Sequence, residues 1–164
     1  HGIELGAALL RYGHARAEAF DRRIHFSQQS AERTDFPDDY FDLVVSHGLC
    51  HETSGKAVRN IMNEIHRVLR PGGVTMHSDP QLGRGLDPHD AFVHDWDTYY
   101  NNEPFWGPLH DIGATDLFVK AGFPAESVRE AWATVDASGS PAIVTTNDTD
   151  SALNRSSLFG ARKG

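Results

Sequence analysis

The chain has 164 residues, 39% hydrophobic and 23% charged, with a net charge of −8, which suits one domain with a real core and excludes a disordered chain. The acidic balance argues against a general phosphate-backbone binder, whose affinity comes from clustered Lys and Arg. Cys50 is the single cysteine, so no intramolecular disulfide framework forms, and no apolar run approaches the ~18 residues of a membrane span; a cytoplasmic protein without nucleic-acid or membrane partners is expected.

In chain order, "HGIEL" at 1–5 reads as the tail of a short strand. Residues 6–22 carry Leu9, Leu10, Gly13, Ala17 and Phe20 on one face at helical spacing, with Gly13 weakening that helix by ~1 kcal/mol relative to Ala. "IHFSQ", 24–28, alternates Ile24 and Phe26 with polar neighbours and predicts a strand. A polar loop with Pro37 follows over 30–39. Residues 41–46 predict a buried strand on Leu43, Val44 and Val45, which opens directly into His47, Cys50, His51 and Glu52.

The strongest helix signal spans 54–70, where Val58, Ile61, Met62, Ile65, Val68 and Leu69 form one amphipathic face. Pro71-Gly72-Gly73 is expected to stop it, and "VTMHSD" at 74–79 to be a strand. Residues 80–110 concentrate Phe92, Trp96, Tyr99, Tyr100, Phe105 and Trp106 among Asp, Asn and His. A helix over 111–121 ends at Gly122, and strands follow at 127–135 and 156–163. Alternating strands and helices are the mark of a parallel sheet with crossover helices. No repeat or domain boundary interrupts residues 1–164, so a single domain is expected.

"HGLCHE" invites a metal reading. However, a zincin needs the order H-E-x-x-H, and a structural zinc needs four spaced ligands. No second cluster supplies partners, so no metal is expected, and Cys50 reads as a small buried hydrophobe.

The chain resembles the class I S-adenosylmethionine-dependent methyltransferases. "GIEL" resembles the end of that family's second strand. "SAERTDFPDDYFDLVVS" resembles the segment joining its third and fourth strands, "EIHRVLRPGG" the helix and turn before its fifth, and "KAGF" with "LFGARK" its final antiparallel pair. The resemblance implies a Rossmann-like doubly wound, mostly parallel α/β sheet with an antiparallel last strand. It implies S-adenosylmethionine as cofactor and methyl transfer to an O, N or C atom of a small-molecule acceptor.

It also implies roles. Glu4, at a strand end, would accept hydrogen bonds from both ribose hydroxyls, with Leu5 against the adenine face. Ser30 and Ala31 stand where the family often reads the adenine amino group. Ser46 and His47 would line the site of the transferring methyl, His47 being the candidate substrate contact or general base. His51 would hold its loop beside the substrate. Residues 80–110, through Trp96, Tyr99, Tyr100 and Trp106, would form a lid over an apolar or aromatic acceptor. Each position has a plainer alternative: a solvated strand-end acid, ordinary loop residues, a solvated histidine, a satellite aromatic cluster.

One departure is large. The family's first strand and its G-x-G-x-G turn have no counterpart here; "GRG" at 83–85 follows the fifth strand. The expectation is a fold incomplete at its N-terminus. The vacancy falls at the sheet's centre, leaving edges open to homo-oligomer formation or strand exchange. Two alternatives to the enzyme remain: a non-catalytic remnant that binds a partner through its open edge, and an adenosine-ligand site used for other chemistry.

Overall fold

The computed structural model describes residues 1–79, 88–135, 141–144 and 156–164. Two short strands, β1 (Gly2–Ile3) and β2 (Phe26–Ser27), pair in parallel with Gly2 opposite Phe26. Helix α1 (Ala7–Ala19) makes the crossover between them. The Phe26 ring sits where Cβ atoms on Gly2 and Gly13 would be, 2.8 and 3.1 Å from it. Gly13 therefore weakens the helix and in return admits the ring that joins it to the strands. The apolar face read for α1 is only partly used: Ala17 is buried, while Leu9 and Phe20 are exposed.

The second sheet has five strands in the order β3-β4-β7-β5-β6. These are β3 (Phe41–His47), β4 (Leu69–Asp79), β5 (Arg129–Val135), β6 (Pro141–Val144) and β7 (Ser156–Arg162). β3 and β4 run parallel, and β7 lies antiparallel between β4 and β5. β6 extends the sheet beyond β5 and had no signal in the sequence. The result is a mixed α/β sheet with an antiparallel closing strand.

Helix α2 (Gly55–Val68) is the crossover between β3 and β4, and Ser54 caps it by accepting from the Ala57 amide. Its stripe Val58, Ile61, Met62, Ile65 and Val68 is buried. It joins Phe159 and Ala161 of β7, Phe123, and Leu117 and Phe118 of α5 (Ala114–Lys120) in one core. Helix α2 ends at Val68. Leu69 is already extended, and Pro71-Gly72-Gly73 lies within the span of β4 instead of stopping the helix. Gly73 is required there, because a Cβ would stand 2.8 Å from the Arg70 carbonyl. The end of α2 is held from the far end of the chain: Lys163 Nζ donates to the carbonyls of His66 (2.9 Å) and Leu69 (2.7 Å) and to Asp39.

β3 departs from the buried strand read from its sequence. Val44 and Ser46 turn toward α2, but Leu43 and Val45 are 58% and 64% exposed, and Val74 and Met76 of β4 are exposed as well. Among the described residues β3 pairs only with β4, and β1 and β2 form a separate two-stranded ladder. The 30–39 loop is tied to α2 by Glu64. That carboxylate accepts from the Thr34 amide (2.7 Å) and hydroxyl (2.6 Å) and pairs with Arg67, which reaches on to Asp38.

Burial alone pushes the Glu64 carboxyl up, but hydrogen bonds from Arg67 and Thr34 outweigh it and bring the pKa down to about 2 from an ordinary 4.5. The folded state thus binds fewer protons than the unfolded state, and the stabilisation is complete above pH ~4.5 and lost as pH falls through ~2. Glu64→Gln is therefore expected to unfold at lower denaturant than the parent at pH 6, with the gap closing toward pH 2. A gap independent of pH would show that the charge of Glu64 is not what holds the loop.

Candidate functional site

The ends of β1, β2 and β3 face one cavity of about 500 Å³ between the two ladders. Glu4, Leu5, Ser30, Ala31, Ser46 and His47 all line it. Residues far apart in sequence converge here because parallel strands bring their carboxyl ends to one edge. Glu4 is half-buried, and its Oε1 accepts from the Gly6 amide at 2.7 Å, which fixes the carboxylate at the start of α1. The Leu5 side chain is exposed, while its carbonyl accepts from Gln28 Nε2 at 2.8 Å. Ser30 Oγ accepts from the Glu32 amide in a local turn, and Ala31 packs against the core.

Ser46 and His47 leave β3 on opposite faces. Ser46 turns inward, with Oγ 2.7 Å from His77 Nδ1. His47 is exposed, and among the described residues its ring has no hydrogen-bond partner. Gly48 then turns the chain at φ +62°, a conformation that glycine adopts without strain.

The short helical turn Cys50–Glu52 is held by one carboxylate. Asp79, 2% exposed at the end of β4, accepts from the amides of Leu49 (3.2 Å), Cys50 (3.1 Å) and His51 (3.1 Å) and from His51 Nδ1 (2.7 Å). His51 Nδ1 thus carries a proton, and the other edge of the ring meets Glu52 Oε1 at 3.3 Å and the Trp106 ring at 5.8 Å. Cys50 is fully buried; burial first, and the Asp79 charge second, push its thiol far up. A thiol so held is neither a nucleophile nor a ligand at neutral pH.

His51, Glu52 and Glu103 bring ligand atoms within 4.8 Å of one another. Glu52 is largely solvated and the group falls short of the four ligands of a structural zinc site.

The aromatic residues divide. Trp106 opens α4 (Trp106–His110) and touches His51. Trp96, Tyr99 and Tyr100 lie on α3 (Pro88–Tyr100) and are exposed; Tyr100 meets Trp96 tilted at 4.8 Å and Tyr99 edge-on at 5.0 Å, and none of them lines the cavity. Residues 80–87 of the lid expectation, including the "GRG" segment, lie outside the described residues.

Three buried polar positions beside the site were not singled out by the sequence pattern. Thr75, His77 and Asp79 alternate along β4 and are all buried on its α2 side. A strand with three polar residues on its buried face is the signal that could have found them, since such groups must be paired.

Residues 1–73 match the methyltransferase domain family. The chain is 33% identical over 95 residues to the ubiquinone/menaquinone biosynthesis C-methyltransferase UbiE of Coxiella burnetii, a match covering 54% of this chain and 37% of that protein. To UbiE of Pectobacterium atrosepticum it is 36% identical over 96 residues, with the same coverage of 54% and 37%. The chain therefore matches little more than a third of the length of these curated relatives.

Among solved structures, the YcgJ protein of Bacillus subtilis superimposes with a TM-score of 0.68 at 17% identity, covering 99% of this chain and 81% of that one. A SAM-dependent methyltransferase of Methanosarcina mazei gives 0.65 at 15% identity, covering 99% and 80%. At such identities these structures speak for the fold.

Asp79→Asn keeps one acceptor but loses the charge that serves three amides and a ring. A cost of roughly 1.5–3 kcal/mol is expected, seen as a lower Tm, faster amide exchange at Leu49–His51 and a Cys50 thiol newly open to alkylation. His51→Ala should cost less, because the three amide bonds remain. Unchanged exchange in Asp79→Asn would mean that another contact holds the turn.

Proposed function

We propose that this chain, whose residues 1–73 are a methyltransferase domain and whose fold is that of the class I methyltransferases, serves methyl transfer from S-adenosylmethionine to a small-molecule acceptor. The observation that carries the proposal is the single cavity onto which Glu4, Leu5, Ser30, Ala31, Ser46 and His47 open. Its donor set suits an adenosine. Glu4, anchored by the Gly6 amide, offers its remaining lone pairs to a ribose diol. Leu5 and Ala31 offer apolar walls to a base, and Ser30 a hydroxyl to its edge. Among the lining residues there is no Lys or Arg to meet the carboxylate of the amino-acid end.

S-adenosylmethionine, when bound, supplies an electrophilic methyl group. The chain's own work is orientation and proton handling. The strand ends fix the nucleoside, which is the larger share of the acceleration in an in-line displacement. His47, exposed at the cavity and without a partner in the described residues, has a free ring nitrogen to take a proton from an O, N or C acceptor. His51 acts by holding the turn beside the acceptor, with Trp106 against its ring. The exposed α3 aromatics Trp96, Tyr99 and Tyr100 offer apolar surface for the acceptor side. The UbiE relatives are named as C-methyltransferases, which favours a carbon acceptor within this class. The family match ends at residue 73, ahead of the aromatic residues proposed for the acceptor side.

A second function, adenosine-ligand binding without transfer, would use the same Glu4, Leu5 and Ser30. Transfer of label from methyl-labelled S-adenosylmethionine to a small-molecule product separates the two.

In the native protein, Glu4→Ala is expected to weaken S-adenosylmethionine about 10- to 100-fold by calorimetry, the equivalent of roughly 1.5–3 kcal/mol, with Glu4→Asp milder. Equal affinity would remove Glu4 from the ribose site. His47→Ala should lower kcat while leaving cofactor affinity within about twofold, and an unaltered pH–rate profile would exclude it as the base.

Residues 1–164 expressed alone should self-associate through the open edge of β3, and Val45→Lys should shift the population toward monomer in light scattering, since charge on an edge strand opposes pairing. A monomeric parent would refute that route.

A further inference from the structure

Beneath the cavity wall lies a chain of hydrogen bonds that the proposed reaction does not call on. His77 is fully buried, stacked on Phe159 at 5.4 Å and tilted over Phe118 at 6.0 Å. Its Nε2 is 2.8 Å from Thr75 Oγ1, and its Nδ1 is 2.7 Å from Ser46 Oγ. Burial pulls its pKa down to about 4, so at neutral pH the ring is uncharged and carries one proton. Thr75 settles which nitrogen holds it. The threonine hydroxyl donates to the Val44 carbonyl at 3.1 Å, and having a single proton, it can only accept from His77. The ring proton is then on Nε2, and Nδ1 is a bare acceptor. The only proton available to the 2.7 Å contact is that of the Ser46 hydroxyl.

We infer that His77 is a positioning residue that fixes the polarity of Ser46, so that Ser46 turns only lone pairs toward the cavity and selects a hydrogen-bond donor on the ligand. An isolated serine rotates to suit either a donor or an acceptor; this one is committed. The relay crosses two strands in register, Ser46 opposite His77, so its geometry is set by the ladder and not by loop packing.

The inference rests on the cofactor proposed above. With a ribose at Glu4 and a base against Leu5 and Ala31, the 5′ substituent is the part left to meet β3. A positive or donating group at that position, such as an ammonium or the polarised C–H groups of a sulfonium, is favoured there; a bare thioether is not.

Two measurements test it. In protein labelled with 15N at histidine, His77 should show a protonated Nε2 and an acceptor Nδ1. Ser46→Ala should move Nδ1 toward the position of a free imidazole lone pair without changing the tautomer. A ring protonated on Nδ1 overturns the inference, whatever the ligand.

By calorimetry, the native protein should bind sinefungin, which carries an amine at the reacting position, about tenfold tighter than S-adenosylhomocysteine, which carries none. Ser46→Ala should abolish that preference. His77→Phe, which keeps the aromatic stack but frees the Ser46 proton, should reduce it. A preference that survives both substitutions overturns the inference. Failure of both ligands to bind, with the predicted tautomer observed, instead refutes the cofactor assignment and with it the ligand half of the inference.

Discussion

A single buried carboxylate organises the working edge of this molecule. Asp79 arrives at the end of β4, and its oxygens face three consecutive amides and one imidazole from the turn after β3. Burying a charge is tolerable only when it is fully paired, and here the pairing is what shapes the turn. The adjacent parallel strands β3 and β4 give a straight path from the ladder to the carboxylate. Gly48, opposite in effect, supplies the bend that lets Leu49, Cys50 and His51 turn back onto it. Without the charge, the segment that carries His51 and abuts Ser46 and His47 would have no fixed course.

Much of this was legible in the sequence where a period was long and clean. The stripe on α2 needed only its 3.6-residue spacing, and Val58, Ile61, Met62, Ile65 and Val68 are buried as that spacing requires. Glu4 was placed by the logic of strand ends, while Ser30 and Ser46 came from the family resemblance, and all three line one cavity. What stayed hidden depended on partners distant in sequence. "VTMHSD" looks like any strand until Ser46 and the 49–51 amides are brought beside it. β6 is a four-residue strand that its pairing with β5 reveals. Leu43 and Val45 carry the composition of a buried strand, yet composition cannot say whether a layer covers them.

The division of the sheet explains the character of the cavity. β1–β2 and β3–β4 each satisfy their own ladder bonds, and the space between them is bounded by strand edges and ends. Bulky apolar side chains such as Phe36, Phe41, Ile61 and Ile65 make up much of its wall, with a few polar groups, Glu4, Ser30 and Ser46 among them, set between. Such a wall reads a ligand through a few placed hydrogen bonds. The Thr75–His77–Ser46 relay extends that principle inward, since a buried ring that never faces the ligand still determines which hydrogen bond can be made.

The tie between Lys163 and the end of α2 has a bearing on how the chain emerges during synthesis. β4 meets β3 across a short crossover, but its other edge waits for β7, the ladder joining Val74 to Arg162. Until those last residues leave the ribosome, β4 presents an open edge and the carbonyls of His66 and Leu69 lack the ammonium that closes them. The nascent chain is thus open to mispairing after β4 is made and before β7 arrives. A truncation of only the closing strand would take Phe159 and Ala161 away from α2 and hold the domain at that vulnerable stage.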